Sequence, residues 1–279
     1  MILIDNSQVI LSSIFGQIKG NADLIDESLV RHITLNSYRY FRNRFGEEFG
    51  ELVICDDSSN CWRKDFFPFY KANRKKSQEK SGQDWSAIYD TLTTIRNEII
   101  ETFPYKNMRV ERCEADDIIA VLCKNMHMQE KIMIVSGDKD FKQLQSYPNV
   151  YQYSPIQRTM LDCADPEDFL FEHIVKGDSG DGIPNILSDD DVFVVEGKRQ
   201  KPCGAKKINQ LREDRETIES TRNWNRNKIL IDLSEIPEEM EDRIMQHWYY
   251  EPIVGSRSKI FNYFVEHKLK NLMGDIQEF

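Results

Sequence analysis

The chain has 279 residues, 40% hydrophobic and 30% charged, with a formal net charge of −10. That length can bury one large core or two smaller ones, and the longest apolar runs fall far short of the roughly 20 residues a membrane span requires. An acidic total argues at first against a phosphate-rich partner, yet the basic residues are clustered, and clusters decide such binding.

In chain order, Ile2-Leu3-Ile4 reads as a strand entered directly from Met1, so a cytoplasmic chain without a signal peptide is expected. The strand delivers Asp5, which either caps the helix-like run from Gln8 towards Phe15 or faces a ligand crevice. A second helical segment spans 29–45, with Leu35, Tyr38, Tyr40 and Phe41 as core members. A strand over 51–55 ends at Asp56 and Asp57, of which one need face the crevice. The stretch Trp62-Arg63-Lys64-Asp65-Phe66-Phe67-Pro68-Phe69-Tyr70-Lys71-Ala72-Asn73-Arg74-Lys75-Lys76 is the most basic in the chain. A charge run is usually a solvated face, but rings interleaved with cations also suit a nucleic-acid strand, stacking on bases and meeting phosphates. Residues 77–84 are polar and read as a mobile loop, and a helix over 85–103 carries Ile88, Leu92, Ile95 and Ile99 near helical spacing.

Next comes Glu114-Ala115-Asp116-Asp117, in or just before the first turn of an apolar helix, where the dipole and free N–H groups favour acids. A charged cap alone would explain it. What argues for more is the recurrence of acids after strand-like runs: Asp5, then Asp56 and Asp57, then Asp138 and Asp140 after Ile132-Met133-Ile134-Val135. The carboxyl ends of parallel strands form the ligand crevice of an α/β sheet, so these acids would meet at one rim and repel unless a cation holds them. The alternation of strands and helices predicts a central, mainly parallel sheet flanked by helices over 1–165.

From 166 to 279 the pattern becomes helical. A short helix over 166–175 leads into the glycine-rich turn Lys176-Gly177-Asp178-Ser179-Gly180-Asp181-Gly182, which lacks the ligand ladder of an EF-hand. Acids at Asp189 and Asp191 and a hairpin through Gly197 are expected before a helix that opens near Gly204-Ala205-Lys206-Lys207. Helix, glycine-rich turn and a helix with cations at its start make a phosphate-gripping unit. Trp248, Tyr249, Tyr250, Phe261, Tyr263 and Phe264 are expected to pack this half against the first. The six cysteines, Cys55, Cys61, Cys113, Cys123, Cys163 and Cys203, have no C-x-x-C pair, which suits reduced thiols rather than a zinc site or disulfides.

Taken in order, the N-terminal Ile-Asp, Tyr70-Lys71-Ala72-Asn73-Arg74, Glu114-Ala115-Asp116-Asp117, Ser136-Gly137-Asp138-Lys139-Asp140-Phe141, Lys176-Gly177-Asp178-Ser179-Gly180-Asp181 and Lys259-Ile260-Phe261-Asn262-Tyr263-Phe264 resemble the 5′-nucleases of the flap-endonuclease superfamily. The likeness is greatest to its T-even phage ribonuclease H branch and covers essentially the whole chain. It implies a helical arch around 62–85, a helix-turn-helix holding duplex DNA, and a site for two Mg²⁺ ions, for which Mn²⁺ can substitute. One ion would be held by Asp5, Asp57 (Asp56 being the alternative), Asp116 and Asp138, with Glu114 close by and Asp117 supporting. The other would lie near Asp140, Asp181 and, through water, Asp178. Hard oxygen donors suit Mg²⁺, so no histidine or cysteine is expected among the ligands.

The resemblance further implies that Lys71 and Arg74 approach the scissile phosphate and that Tyr70 stacks on a base. Arg63, Lys64, Lys75, Lys76, Gly180, Gly182, Lys206 and Lys207 would meet DNA, with K⁺ at the helix-turn-helix. The implied activity is 5′ to 3′ exonuclease and flap cutting on RNA/DNA hybrid, 5′-flap and nicked duplex, removing RNA primers from lagging-strand fragments in phage replication. The implied partners of this monomer are the replication single-stranded-DNA-binding protein and the sliding clamp. Two features depart from that pattern: the chain starts at its first strand, without the extension associated with the clamp, and an insertion occupies 188–199. Two alternatives come from other classes. A PIN-type endoribonuclease would share the acid rim at about half the length, and a non-catalytic helix-turn-helix protein would need no acid rim.

Overall fold

The computed structural model describes residues 1–18 and 25–279. Its centre is a six-stranded sheet of β1 (Ile2–Asp5), β2 (Leu52–Cys55), β3 (Lys106–Met108), β4 (Ile132–Val135), β5 (Val150–Ser154) and β6 (Thr159–Met160), in the order β3-β2-β1-β4-β5-β6. All pairings are parallel except the last, where β6 runs antiparallel to β5. In register, Asp5 lies beside Cys55, and Ile4 beside Val135, so the loops carrying Asp56–Asp57 and Ser136–Asp140 leave the sheet next to Asp5. The acids reach one rim because every strand that carries them points the same way.

Helices cover both faces. In chain order they are α1 (Asn6–Ile18), α2 (Glu27–Phe49), α3 (Trp62–Phe66), α4 (Ala72–Ser81), α5 (Trp85–Thr102), α6 (Ala115–Met126), α7 (Pro166–Lys176), α8 (Ala205–Glu213), α9 (Arg215–Glu219), α10 (Arg222–Ile231), α11 (Glu238–Tyr250) and α12 (Arg257–Glu266). Side chains alternate along each strand. Ile2, Ile4, Leu52, Ile54, Met133 and Val135 therefore pack in one core with α1, α2, α5 and α12, while Leu3, Val53, Cys55, Ile132 and Ile134 pack in another with α6 and α11. The last third of the chain completes both cores: Tyr263, Phe264 and Phe279 surround Phe103, and Met240 and Ile244 sit over the α6 side. A third core links Cys61, Phe67 and Tyr70 with α7, α8 and α10.

Several local expectations change. Residues 77–81 continue α4 rather than forming a loop, and the turn comes at Gly82, whose left-handed backbone (φ 70°) ends the helix. Strands β3 and β6 were not anticipated: at three and two residues they are too short for an alternation pattern to register. The expected hairpin through Gly197 is instead a series of turns closed at its base, where Lys201 N–H donates to Ser188 Oγ and Asn185 N–H to Gln200 Oε1. Of the aromatics expected to pack the C-terminal half, Tyr263 and Phe264 do so, whereas Tyr249, Tyr250 and Phe261 face solvent on the outer sides of α11 and α12. Tyr40, expected in the core, is likewise exposed. Among the described residues no helix is long and apolar enough to cross a membrane.

Candidate active site

The rim is built from Asp5, Asp57, Asp116, Asp138 and Asp140. Asp5 caps α1, its Oδ1 accepting the N–H of Gln8 at 3.2 Å, and its Oδ2 accepts the Ser136 hydroxyl at 2.9 Å. Burial, and then the charge of Asp57, push its carboxyl up to about 7. Asp57 is fixed by the Ser7 hydroxyl at 2.7 Å and the Ala115 N–H at 2.9 Å. Asp56, its neighbour, is fully buried and turns away to accept Asn6 Nδ2 at 2.8 Å, while Asn6 in turn accepts the Tyr38 hydroxyl. Burial raises Asp56 to about 7, and its second oxygen has no partner. Asp57 is therefore the acid beside Asp5. Asp116, in the first turn of α6, is pushed well up by burial and then by Asp138 and Asp5. Asp138 accepts the Asp140 N–H at 2.9 Å and so opens the 3₁₀ turn Lys139–Ser146. Asp140 rises to about 7 through burial and then Asp138.

Glu114 lies two residues from Asp116 and has the opposite environment. Its carboxylate accepts Tyr70 Oη at 2.9 Å, Arg63 Nη1 at 3.1 Å, Cys61 Sγ at 3.0 Å and the Lys71 ammonium. Burial opposes ionisation there, but Lys71 and Arg63 outweigh it and hold the carboxyl down at about 2. Asp117 is fully buried against Arg63 Nη1 at 2.7 Å and Trp62 Nε1 at 3.2 Å, and it accepts the Glu114 N–H at 2.9 Å.

These partners reassign part of the basic stretch. Arg63, expected on DNA, is 2% exposed and spent on Glu114, Asp117 and the Leu230 carbonyl. Tyr70, expected to offer its ring to a base, is 4% exposed in the third core and presents only its hydroxyl, to Glu114 and Asp181. Lys64, Lys75 and Lys76 are exposed, as is Lys206, and Lys207 is half-buried. Lys71 and Arg74 converge on Asp181, with Lys71 Nζ 3.7 Å from it and Arg74 paired to its other oxygen.

The glycine-rich turn is clamped to this segment. Lys71 N–H donates to the Asp181 carbonyl at 2.7 Å and Asn73 Nδ2 to that of Ser179 at 2.7 Å. Gly182 has φ 72°, and a Cβ there would lie 2.9 Å from the Phe69 carbonyl, so only glycine allows the approach. Gly180 donates its N–H to Asp178 Oδ1 at 2.7 Å.

One residue was missed. His173, in the last turn of α7 and 5% exposed, stands between Asp140 and Asp178, with Nδ1 3.5 Å from Asp140 Oδ1 and Nε2 3.3 Å from Asp178 Oδ2. Among the described residues these three are the one group of acids, histidines or cysteines whose ligand atoms all lie within 4.8 Å of one another. The oxygen-only expectation set His173 aside. Its place one helical turn before the glycine-rich turn was the available signal. Beside Asp57, a cavity of about 580 Å³ is lined by Ser7, Arg74, Arg96 and Arg109 among others, and among the described residues the Nε of buried Arg96 has no hydrogen-bond partner.

Comparisons with known proteins fit this geometry. Residues 1–172 match the model of the 5′-3′ exonuclease N-terminal resolvase-like domain, and residues 165–279 that of the T4 RNase H C-terminal domain. The chain is 33% identical over 292 residues to the ribonuclease H of Enterobacteria phage T4, covering 99% of this chain and 95% of the relative. It is 33% identical over 143 residues to the flap endonuclease Xni of Shewanella sp. (strain W3-18-1), covering 48% and 51%. In fold it is similar to a T5 5′-exonuclease with bound divalent metal ions (zinc), at TM-score 0.64 and 18% identity over 88% of this chain and 97% of that one. A bacteriophage T5 flap endonuclease complexed with DNA and metal ions aligns at TM-score 0.63 and 15% identity, over 88% and 96%.

Proposed function

Because this chain belongs to the 5′-3′ exonuclease family, we propose that it hydrolyses phosphodiesters at 5′ ends with two divalent ions, as a 5′ to 3′ exonuclease and flap endonuclease. The observation that carries the proposal is the rim itself. Asp5 is buried and Asp116 and Asp140 are half-buried, and all three repel one another and are pushed towards neutrality, an arrangement that costs stability and is relieved by a bound cation. Unpartnered Asp140 Oδ1 marks a donor with capacity to spare. Asp5, Asp57, Asp116 and Asp138 would hold one Mg²⁺, and Asp140 and Asp181 the other. Bound ions there supply an activated water and charge neutralisation at the phosphate.

The chain's own residues do the rest. Lys71 is held by Glu114 at the rim, so its ammonium is already placed to meet a phosphate oxygen without the entropy loss of a free lysine. Arg74, 52% exposed and paired with Asp181, exchanges that carboxylate for substrate. The arginine-lined cavity beside Asp57 receives the strand leading to the cut. Lys206 and Lys207, at the start of α8, grip the duplex together with the turn after α7. A K⁺ ion at that turn would compete with Lys71 and Asn73 for the carbonyls of Asp181 and Ser179.

The substrates are RNA primers on DNA, 5′ flaps and nicked duplexes, and the setting is removal of primers from lagging-strand fragments in an infected cell. The PIN-type alternative leaves residues 165–279 without a purpose. Product analysis on 5′-labelled primer, flap and nicked duplexes with Mg²⁺ tests the proposal: short 5′ products are expected, and internal cuts unrelated to a 5′ end would overturn it.

A further inference from the structure

The group formed by Asp140, His173 and Asp178 is not symmetric, and its asymmetry is informative. Asp178 has no donor capacity left: Oδ1 accepts the N–H groups of Gly180 at 2.7 Å and Asp181 at 3.2 Å, and Oδ2 accepts Lys139 Nζ at 2.7 Å and faces His173 Nε2 at 3.3 Å. It is therefore saturated as an acceptor and orients the imidazole through the Nε2–H. On the other side, His173 Nδ1 and Asp140 Oδ1 face each other at 3.5 Å, and among the described residues neither of these two buried atoms has a hydrogen-bond partner. The 3.3 Å contact leaves Nε2 within hydrogen-bond reach of Asp178, whereas Nδ1 makes no hydrogen bond to Asp140. An unpaired nitrogen and oxygen 3.5 Å apart have the spacing of two donors on one ion: atoms about 2.1 Å from a metal and subtending about 110° lie roughly 3.4 Å apart. The carboxylate behind the ring completes the carboxylate–histidine–metal relay by which proteins fix a ligating imidazole.

We propose that His173 Nδ1 and Asp140 Oδ1 bind one divalent ion directly, with Asp178 as the positioning carboxylate, making this half of the rim a mixed nitrogen–oxygen site. Such a site takes a borderline transition-metal ion such as Zn²⁺, Fe²⁺ or Co²⁺ in preference to Mg²⁺, because imidazole nitrogen is a softer donor than carboxylate or water. The inference rests on the reading that the rim binds divalent ions, and it changes the chemistry of one of the two sites.

Titrating the full-length protein with Co²⁺ and recording its proton NMR spectrum tests the assignment without any nuclease assay. One exchangeable imidazole N–H, the Nε2–H held by Asp178, should shift far outside the diamagnetic range in the parent protein and vanish in His173→Gln. By calorimetry, Zn²⁺ affinity should fall about tenfold or more in His173→Gln while Mg²⁺ affinity changes less than about twofold. Asp178→Asn should keep a shifted ring signal but weaken Zn²⁺ binding. The parent spectrum decides the matter even if His173→Gln fails to fold. Co²⁺ bound to the parent without a shifted imidazole N–H overturns the nitrogen ligand alone, whereas a parent that binds neither Co²⁺ nor Mg²⁺ overturns the reading of the rim as well.

Discussion

Glu114 and Asp116 are two residues apart at the start of one helix, both are acids, and they meet opposite fates. Glu114 is surrounded by donors and held at about 2 by Lys71 and Arg63. Asp116 faces other carboxylates and is pushed well up. Asp117, next along, is buried deepest and is neutralised by Arg63. The contrast teaches that a buried acid is structural or functional according to what it faces. A saturated carboxylate ties α3, α6 and the loop after α3 together, while an unsaturated one stores repulsion for a ligand to relieve.

The largest effect should come from breaking the saturated side. Arg63→Met leaves buried Asp117 without its cation and Glu114 with Lys71 alone, and removing one partner of a buried pair costs about 3–5 kcal/mol. Urea denaturation should show that loss. A cost below about 1 kcal/mol would erase the distinction between the two acid groups. On the unsaturated side, Asp116→Asn should lower single-turnover cleavage of a 5′-labelled flap by about 10³-fold, roughly 4 kcal/mol in the barrier, and leave stability unchanged or higher. A variant that loses activity and stability together would place Asp116 with Glu114.

The two groups should also respond to pH with opposite sign. Asp5 and Asp140 are raised to about 7 from an ordinary value of 3.8, so the folded state favours their protonated forms. Their stabilising contribution is complete below about pH 4 and is lost as pH rises through 7, on the order of 4 kcal/mol per group before coupling is counted. Glu114 is depressed from 4.5 to about 2, so its contribution is present above pH 4.5 and lost as pH falls through 2. Melting in a chelator across pH 4–8 should show a downward slope that Asp140→Asn flattens and that added divalent ion cancels at pH 7.5. An unchanged slope in Asp140→Asn would mean that the repulsion is already relieved within the protein. The mildest test leaves both acid groups intact. Lys206→Glu with Lys207→Glu should weaken duplex binding about tenfold at low salt and reduce the salt slope by about 2, with little effect on single-stranded 5′ ends. Equal losses on both substrates would remove α8 from the duplex grip.

Much of this was legible without coordinates. Parallel strands ending in acids, the apolar periodicities of α5 and α6 and the glycine-rich turn after α7 each follow from local pattern, because strand period, helix period and backbone freedom are properties of neighbouring residues. Asp5 could be placed at a strand end, and Asp57 could be preferred over Asp56 only by family likeness. In the structure Asn6 occupies one oxygen of Asp56, and the Ser7 hydroxyl and Ala115 N–H hold Asp57 beside Asp5.

What the chain order could not disclose is who faces whom. The run of rings and cations from Trp62 to Lys76 looks uniform in sequence, yet Arg63 and Tyr70 are buried within it while Lys64, Lys75 and Lys76 are exposed. That split depends on Glu114, Asp117 and Asp181, which lie from about forty to more than a hundred residues further along. His173 likewise gained meaning only when α7 set its ring between Asp140 and Asp178. Amino-acid order determined the elements and the rim, since both arise from local propensity and strand direction. Tertiary packing decided which charges are spent on the fold and which are left for a ligand, because a charge is neutralised by what lies within a few ångströms of it, at any distance along the chain.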